Sequence, residues 1–241
     1  MNCNLNCDAC LRELCMHKVP LFASLSYEEL KGMADHMVCC TWEKGERLLS
    51  QGDVPQSFTV ILEGRAKVCT VSADGRENIL SILSKNDYFG ELHLFGSKPA
   101  AYSVVALQHV KAWSFSRQQF QKLLTAFPQM AARLVEELGN RVIQLEKILN
   151  SSMNSRVGAR IAALLLEFSR KYTVLSPNGP EIALPLSREG MANYLGIARE
   201  TMSRKLRQME EDGLLITYGN KRMRLLRPEL LSRIAMGDGE E

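Results

Sequence analysis

Residues 187–215 read SREGMANYLGIARETMSRKLRQMEEDGLL, and the fold of the chain is decided by how this stretch folds. Ser187 stands where a helix cap is wanted, ahead of a short helix ending at Tyr194–Leu195. Gly196 supplies a sharp turn, and a second helix is predicted from about Arg199 to Glu211, stopping at Gly213. Ala192, Leu195, Ile197, Met202, Leu206 and Met209 fall at the spacings of a core shared by the two helices. This is a helix-turn-helix pattern, whose second helix lies in the major groove of DNA.

On that second helix Arg199, Glu200, Ser203 and Arg204 share one face near the N-terminus, at i, i+1, i+4 and i+5. Their chemistry suits base edges: Arg bonds guanine O6 and N7 with a fork, Glu accepts from cytosine N4, and Ser contacts either pair. Lys205, Arg207 and the run KRMRLLR at Lys221–Arg227 are expected on phosphates, contacts that position without specifying. Any one of these side chains alone is equally a solvated charge. Turn glycine, core spacing and polar face together favour a reader of double-stranded DNA.

Working outward, the chain has 241 residues, 46% of them hydrophobic, enough for one large domain or two modest ones. A net charge of +3 neither demands nor excludes a nucleic-acid partner. There is no run of eighteen apolar residues, so no membrane span is expected. MNCNLNCDAC is not a signal peptide, which points to a cytoplasmic address where thiols stay reduced. Seven cysteines, four of them in the first seventeen residues, then argue for metal or redox chemistry over a disulfide framework. No nucleophile–base pair, phosphate loop or paired-carboxylate motif stands out, so an enzyme is not expected.

Between the cysteines and the reader, VPLFASLSYEELKGMADHM (19–37) reads as a short helix capped by Ser26, with Glu29 three residues on. From about Val38 to Phe115 short β-rich runs are broken by turn signals such as Glu63–Gly64 and Asp74–Gly75, the pattern of a small barrel or sandwich. A helical regime begins near Gln118. There Ala131, Leu134, Leu138, Val142, Leu145 and Leu149 recur at three and four, a stripe suited either to a two-stranded coiled coil or to packing on its own barrel. A further helix covers 155–172, and TVLSPNGPEIALPLS (173–187) reads as a turn-rich hinge ending in a strand. The expected organisation is α+β: a cysteine-rich segment (1–20), a sensor β-roll (21–125), a dimerisation helix (126–152) and a winged helix-turn-helix domain (153–241).

The stretch 181–215 resembles the DNA-binding domain of the cyclic AMP receptor/FNR superfamily of bacterial transcription regulators. KGERLLSQGD (44–53), VILEGRAKV (60–68) and FGELHLFGSKPAAYSVVAL (89–107) resemble its β-roll, and FPQMAARLVEELGNRV (127–142) the start of its dimer helix. In the FNR branch the reader helix carries E-T-x-S-R, matched here by Glu200, Thr201, Ser203 and Arg204. The resemblance implies a jelly-roll sensor, a homodimer joined through Leu134, Leu138, Val142, Leu145 and Leu149, RNA polymerase as a partner, and two TTGAT-like half-sites.

Cyclic-nucleotide members follow G-E-L with P-R-S, an Arg and a Ser holding the cyclic phosphate. This chain keeps Gly90, Glu91 and Leu92 but places Ala100 and Ala101 after Pro99, and neither can pair with phosphate. That argues against cyclic AMP. Cys3, Cys7, Cys10 and Cys15, spaced C-x3-C-x2-C-x4-C, resemble instead the N-terminal segment of FNR-type oxygen sensors, which implies a [4Fe–4S] cluster. In that pattern the β-domain contributes one ligand, and an ungapped alignment puts Trp113 at its position. Cys3 is then the expected fourth ligand, with Cys39, Cys40 and Cys69 as alternatives or, more simply, as small buried hydrophobes. Structural zinc (with His17 as a further donor), a thiol switch, and haem or another effector in the roll are the competing sensors. His17, His36, His93 and His109 are the histidines a haem would draw on.

Overall fold

A computed structural model describes residues 16, 18–34, 37–91, 98–154, 156–177 and 179–237. These form two compact units, one of residues up to Arg76 with Leu80–Gln144, the other Leu145–Glu241 with Glu77–Ile79.

In the first unit Ser26 and Glu29 close a reciprocal capping box (Ser26 N to Glu29 Oε2, 2.6 Å; Glu29 N to Ser26 Oγ, 3.4 Å) at the start of α1 (Tyr27–Ala34). Eight strands follow: β1 Val38–Trp42, β2 Arg47–Leu49, β3 Ser57–Glu63, β4 Ala66–Val71, β5 Glu77–Leu83, β6 Tyr88–Phe89, β7 Ser103–Ala106 and β8 Val110–Ser116. They pair into two four-stranded sheets, β1-β8-β3-β6 and β2-β7-β4-β5, with antiparallel ladders. The expected β-roll is what forms.

Two apolar clusters hold it. The inner one sets Ile61, Ala112 and Val110 against Val68, Leu83 and Val104 of the other sheet. The outer one covers the opposite face of β3 and β8. There Phe58 stacks on Phe120 (ring centroids 4.1 Å), with Phe22 edge-on to Phe58 and Phe115. β3 is therefore buried on both faces, which a half-polar alternation would not show.

Ser116 caps α2 (Arg117–Ala126) with Gln119 in a second capping box. The long helix α3 runs Pro128–Asn154. Its first two turns bury Met130 and Leu134 in the outer cluster, with Ala131 and Leu138 packed against it. Met16, expected within the cysteine-rich N-terminal segment, is fully buried in the same cluster, as is Val19.

In the second unit α4 (Val157–Tyr172) buries Ile161, Leu165 and Phe168. Residues 173–183 form a hairpin, β9 (Thr173–Ser176) and β10 (Gly179–Ala183), where a hinge with a single strand was expected. Leu175 on β9 is 94% exposed, so no buried face announced that strand. Then come α5 (Arg188–Leu195), α6 (Arg199–Glu211), the hairpin β11 (Leu215–Tyr218)–β12 (Arg222–Leu225), and α7 (Pro228–Met236), which packs on α4. The strands order β11-β12-β10-β9. No helix among the described residues is long and apolar enough to cross a membrane.

Gly64 and Gly75 both turn at positive φ (+88° and +80°), but only Gly64 lies against backbone: an added Cβ would sit 2.1 Å from the His109 carbonyl oxygen. Gly64→Ala should cost roughly 3 kcal/mol and Gly75→Ala about 1 kcal/mol in urea unfolding, because only the first adds a collision to the strained backbone.

Candidate nucleic-acid interface and sensor turn

The reader forms as its local chemistry requires. Ser187 Oγ accepts from the Gly190 amide at 3.1 Å, and Gly196 closes α5 in the left-handed conformation (φ +62°). The Ile197 amide donates back to the Ala192 carbonyl (3.0 Å), and the Arg160 guanidinium of α4 donates to the Leu195 carbonyl, a free acceptor of the α5 C-terminus. Ala192, Met202, Leu206 and Met209 are buried as expected, joined by Met191; Leu195 and Ile197 are half-buried. Glu210 near the other end of α6 accepts from the Thr217 amide (2.8 Å) and hydroxyl (3.0 Å), tying the helix to the wing strand β11.

This leaves Arg199, Glu200, Arg204 and Arg207 exposed and Ser203 partly so. Lys205 is half-buried and donates to Gln208 (3.1 Å), so its amine is partly engaged. In the wing, Arg224 was expected on phosphate but turns inward. It lies 3.6 Å from the buried Glu181 carboxylate and over the Tyr218 ring (5.6 Å), with Arg222 3.5 Å from the same carboxylate. Glu181 also accepts from Ser176 Oγ (2.7 Å), and a buried carboxylate draws in whatever cations are within reach. Lys221 and Arg227 stay exposed.

Of the residues expected to join two copies, Leu134 is 3% exposed in the chain's own core, and Leu138 packs against that core. Helical periodicity registers an apolar stripe without saying which partner covers it. Val142 is exposed, and Val135 and Ile143, which the stripe missed, are exposed beside it. The side chains of Leu145 and Leu149 lie outside the described residues.

The sensor turn is set by Gly90 (φ +97°), where a Cβ would fall 2.3 Å from the Ser57 carbonyl oxygen. Glu91 is thereby driven inward to 2% exposure, where Arg141 of α3 donates to its Oε1. Burial pushes the Tyr88 and Tyr102 phenols up to about 12; Glu91 adds to both, and the Gly90 amide donates to Tyr102. Ala100 is buried and Ala101 exposed, so no phosphate partner comes from that side. Leu92 and His93 lie outside the described residues, as do Cys3, Cys7, Cys10, Cys15, His17 and His36. His109 is exposed and bonds Glu43 (2.9 Å). Cys40 and Cys69 are buried; Cys39 is half-buried, faces Trp113 across the β1–β8 ladder and packs on the outer cluster. Among the described residues no group of three His, Cys, Asp or Glu could hold a metal ion.

Because Arg224 is structural, Arg224→Ala should lower stability by about 1–3 kcal/mol in thermal or urea unfolding, while Arg207→Ala stays within about 0.5 kcal/mol of wild type.

Residues 40–127 match the cyclic nucleotide-binding domain family and residues 159–234 the Crp-like helix-turn-helix domain family. Among curated relatives, the global nitrogen regulator of Synechococcus elongatus is 28% identical over 194 residues, covering 80% of this chain and 87% of that one. The transcriptional activator protein FnrL of Cereibacter sphaeroides is 26% identical, covering 80% and 79%. The cAMP-activated global transcriptional regulator CRP of Salmonella typhimurium is 29% identical, covering 71% and 82%. Among solved structures, a CooA mutant from Carboxydothermus hydrogenoformans superposes with a TM-score of 0.73 at 21% identity, covering 90% and 94% of the two chains. FixK2 from Bradyrhizobium japonicum gives 0.73 at 22%, covering 85% and 98%. A nucleotide-type β-roll followed by a Crp-like reader, matched in both halves, places this chain in the CRP/FNR family of DNA-binding transcription regulators.

Proposed function

We propose that the chain is an FNR-type regulator that reports oxygen or redox state, or nitric oxide, through a [4Fe–4S] cluster on its N-terminal cysteines. As a homodimer working with RNA polymerase, it would read TTGAT-like palindromes. The observation that carries the sensor reading is the position of Met16. This residue directly follows Cys15 and is fully buried in the outer cluster, together with Met130 and Leu134 of α3. Met16 is the residue through which a change at Cys15 would reach the base of the long helix.

The donor chemistry fits. Cys3, Cys7, Cys10 and Cys15 supply four thiols, the number such a cluster takes, and bound iron and sulfide would supply the oxygen-sensitive chemistry. Cys39 favours a second ligand assignment, because it stands across the ladder from Trp113, the position of the family's internal ligand, on the side where Met16 packs. At the reader, Arg199, Glu200, Ser203 and Arg204 present base-reading groups, with Lys205 and Arg207 toward the backbone.

Protein purified without oxygen should be brown, carry iron and sulfide, and lose both iron and specific DNA binding in air. Cys7→Ser and Cys10→Ser should abolish iron binding, and the loss on Cys3→Ser against Cys39→Ser identifies the fourth ligand. Full iron content in Cys7→Ser and Cys10→Ser, or none in the wild type, overturns the sensor reading. Arg204→Ala should weaken specific binding by about 1–3 kcal/mol and leave random-sequence binding little changed, measured by fluorescence anisotropy at fixed salt.

A further inference from the structure

We infer that Arg141 serves as a built-in occupant of the roll's ligand turn, clamping α3 to the roll through Glu91 so that no cyclic nucleotide is needed to seat the helix. Three observations converge on one side chain. Its guanidinium donates to Glu91 Oε1, reaches the Tyr88 carbonyl (3.5 Å) and lies over the Tyr88 ring (5.3 Å). All three contacts are with the 88–91 turn, fifty residues away in sequence.

Glu91 has no freedom to leave. Gly90 directs it inward, and its Oε2 is buried without a hydrogen-bond partner. A buried carboxylate with one oxygen already unsatisfied cannot readily lose its cation as well. Ala100 and Ala101 offer no charge that would hold a cyclic phosphate beside it. The cation comes instead from α3.

The clamp's place along the helix gives it consequence. Met130 and Leu134 fix the first two turns of α3 in the outer cluster, and Arg141 grips two turns further on. Gln144 is the last residue of the first unit, so the clamp holds α3 one turn before the chain passes into the second. Releasing it would free the turn from which the exposed Val142 and Ile143 project. A guanidinium suits this task because one planar group can bond a carboxylate, meet a carbonyl and cover an aromatic face together.

The test uses the full chain, kept without oxygen, with iron content measured on every sample so that any loss of the proposed cluster is seen separately. Amide hydrogen exchange is followed over residues 135–150 and, as control, 57–71. Arg141→Met should speed exchange in 135–150 about ten-fold or more, leave 57–71 protected, and weaken specific DNA binding about ten-fold. Glu91→Gln/Arg141→Met, which leaves no unpaired charge, should regain the thermal midpoint lost in Arg141→Met yet keep the fast exchange in 135–150. Millimolar cyclic AMP should change neither exchange nor DNA binding of the wild type. Wild-type exchange over 135–150 in the double variant overturns the clamp, as does protection or DNA binding of the wild type that rises with cyclic AMP.

Discussion

The N-terminal residues, the outer face of the roll and the long helix meet where Phe58 stacks on Phe120. Met16 and Phe22 reach this cluster from the N-terminal side, Trp113 and Phe115 from β8, and Met130 and Leu134 from α3. Close packing makes the joint stiff, because a core at crystal-like density cannot absorb a displaced side chain without moving its neighbours. It also fixes the rotation of α3. With Leu134 turned inward, the next residue is rotated by about 100° out of the core, and seven residues later the same direction returns to within about 20°. Val135 and Val142 are those positions, both exposed. The outward face of the helix is thus a consequence of its inward one.

The same geometry explains which parts of the fold could be read from the sequence. The helix-turn-helix was legible because its signals are local: Ser187 caps, Gly196 takes a positive φ, and Met202, Leu206 and Met209 face inward at helical spacing. The capping box at Ser26 was legible for the same reason. The burial of Leu134 in its own roll was not legible, because a stripe at three and four looks the same whether it meets its own roll or a second copy. Met16 was missed because a single apolar residue at the end of a polar segment carries no period. Arg224 was placed on phosphate because sequence shows its charge but not the buried Glu181 it faces.

Glu91 and Glu181 show one solution used in each unit. Each is almost wholly buried, and each is met by arginine from a different element: α3 for Glu91, and β12 for Glu181. Such pairs add little net stability over an apolar contact, since desolvation cancels most of the attraction. They are unforgiving of alternatives, because any arrangement that separates the charges leaves a carboxylate stranded in apolar surroundings. Their effect is therefore on which packing is adopted: α3 laid on the sensor turn, and the wing strand β12 aligned with β10.

This sorting of cations also explains how a chain with a net charge of only +3 can present a reading surface. Arg141, Arg160 and Arg224 are engaged within the chain by carboxylates and a carbonyl. On α6, Glu210 is engaged with Thr217 at the wing end, away from the first turns of the helix. Along the first two turns of the exposed face, Arg199, Arg204 and Arg207 stand against Glu200, with the exposed Glu211 at the far end of the helix. A local excess of positive charge suffices to draw an anionic groove, while a small total keeps non-specific attraction modest. Discrimination then rests on the planar fork of an arginine held on a helix tied to the wing at Thr217 through Glu210, and preceded by a helix whose C-terminal Leu195 carbonyl is held by Arg160.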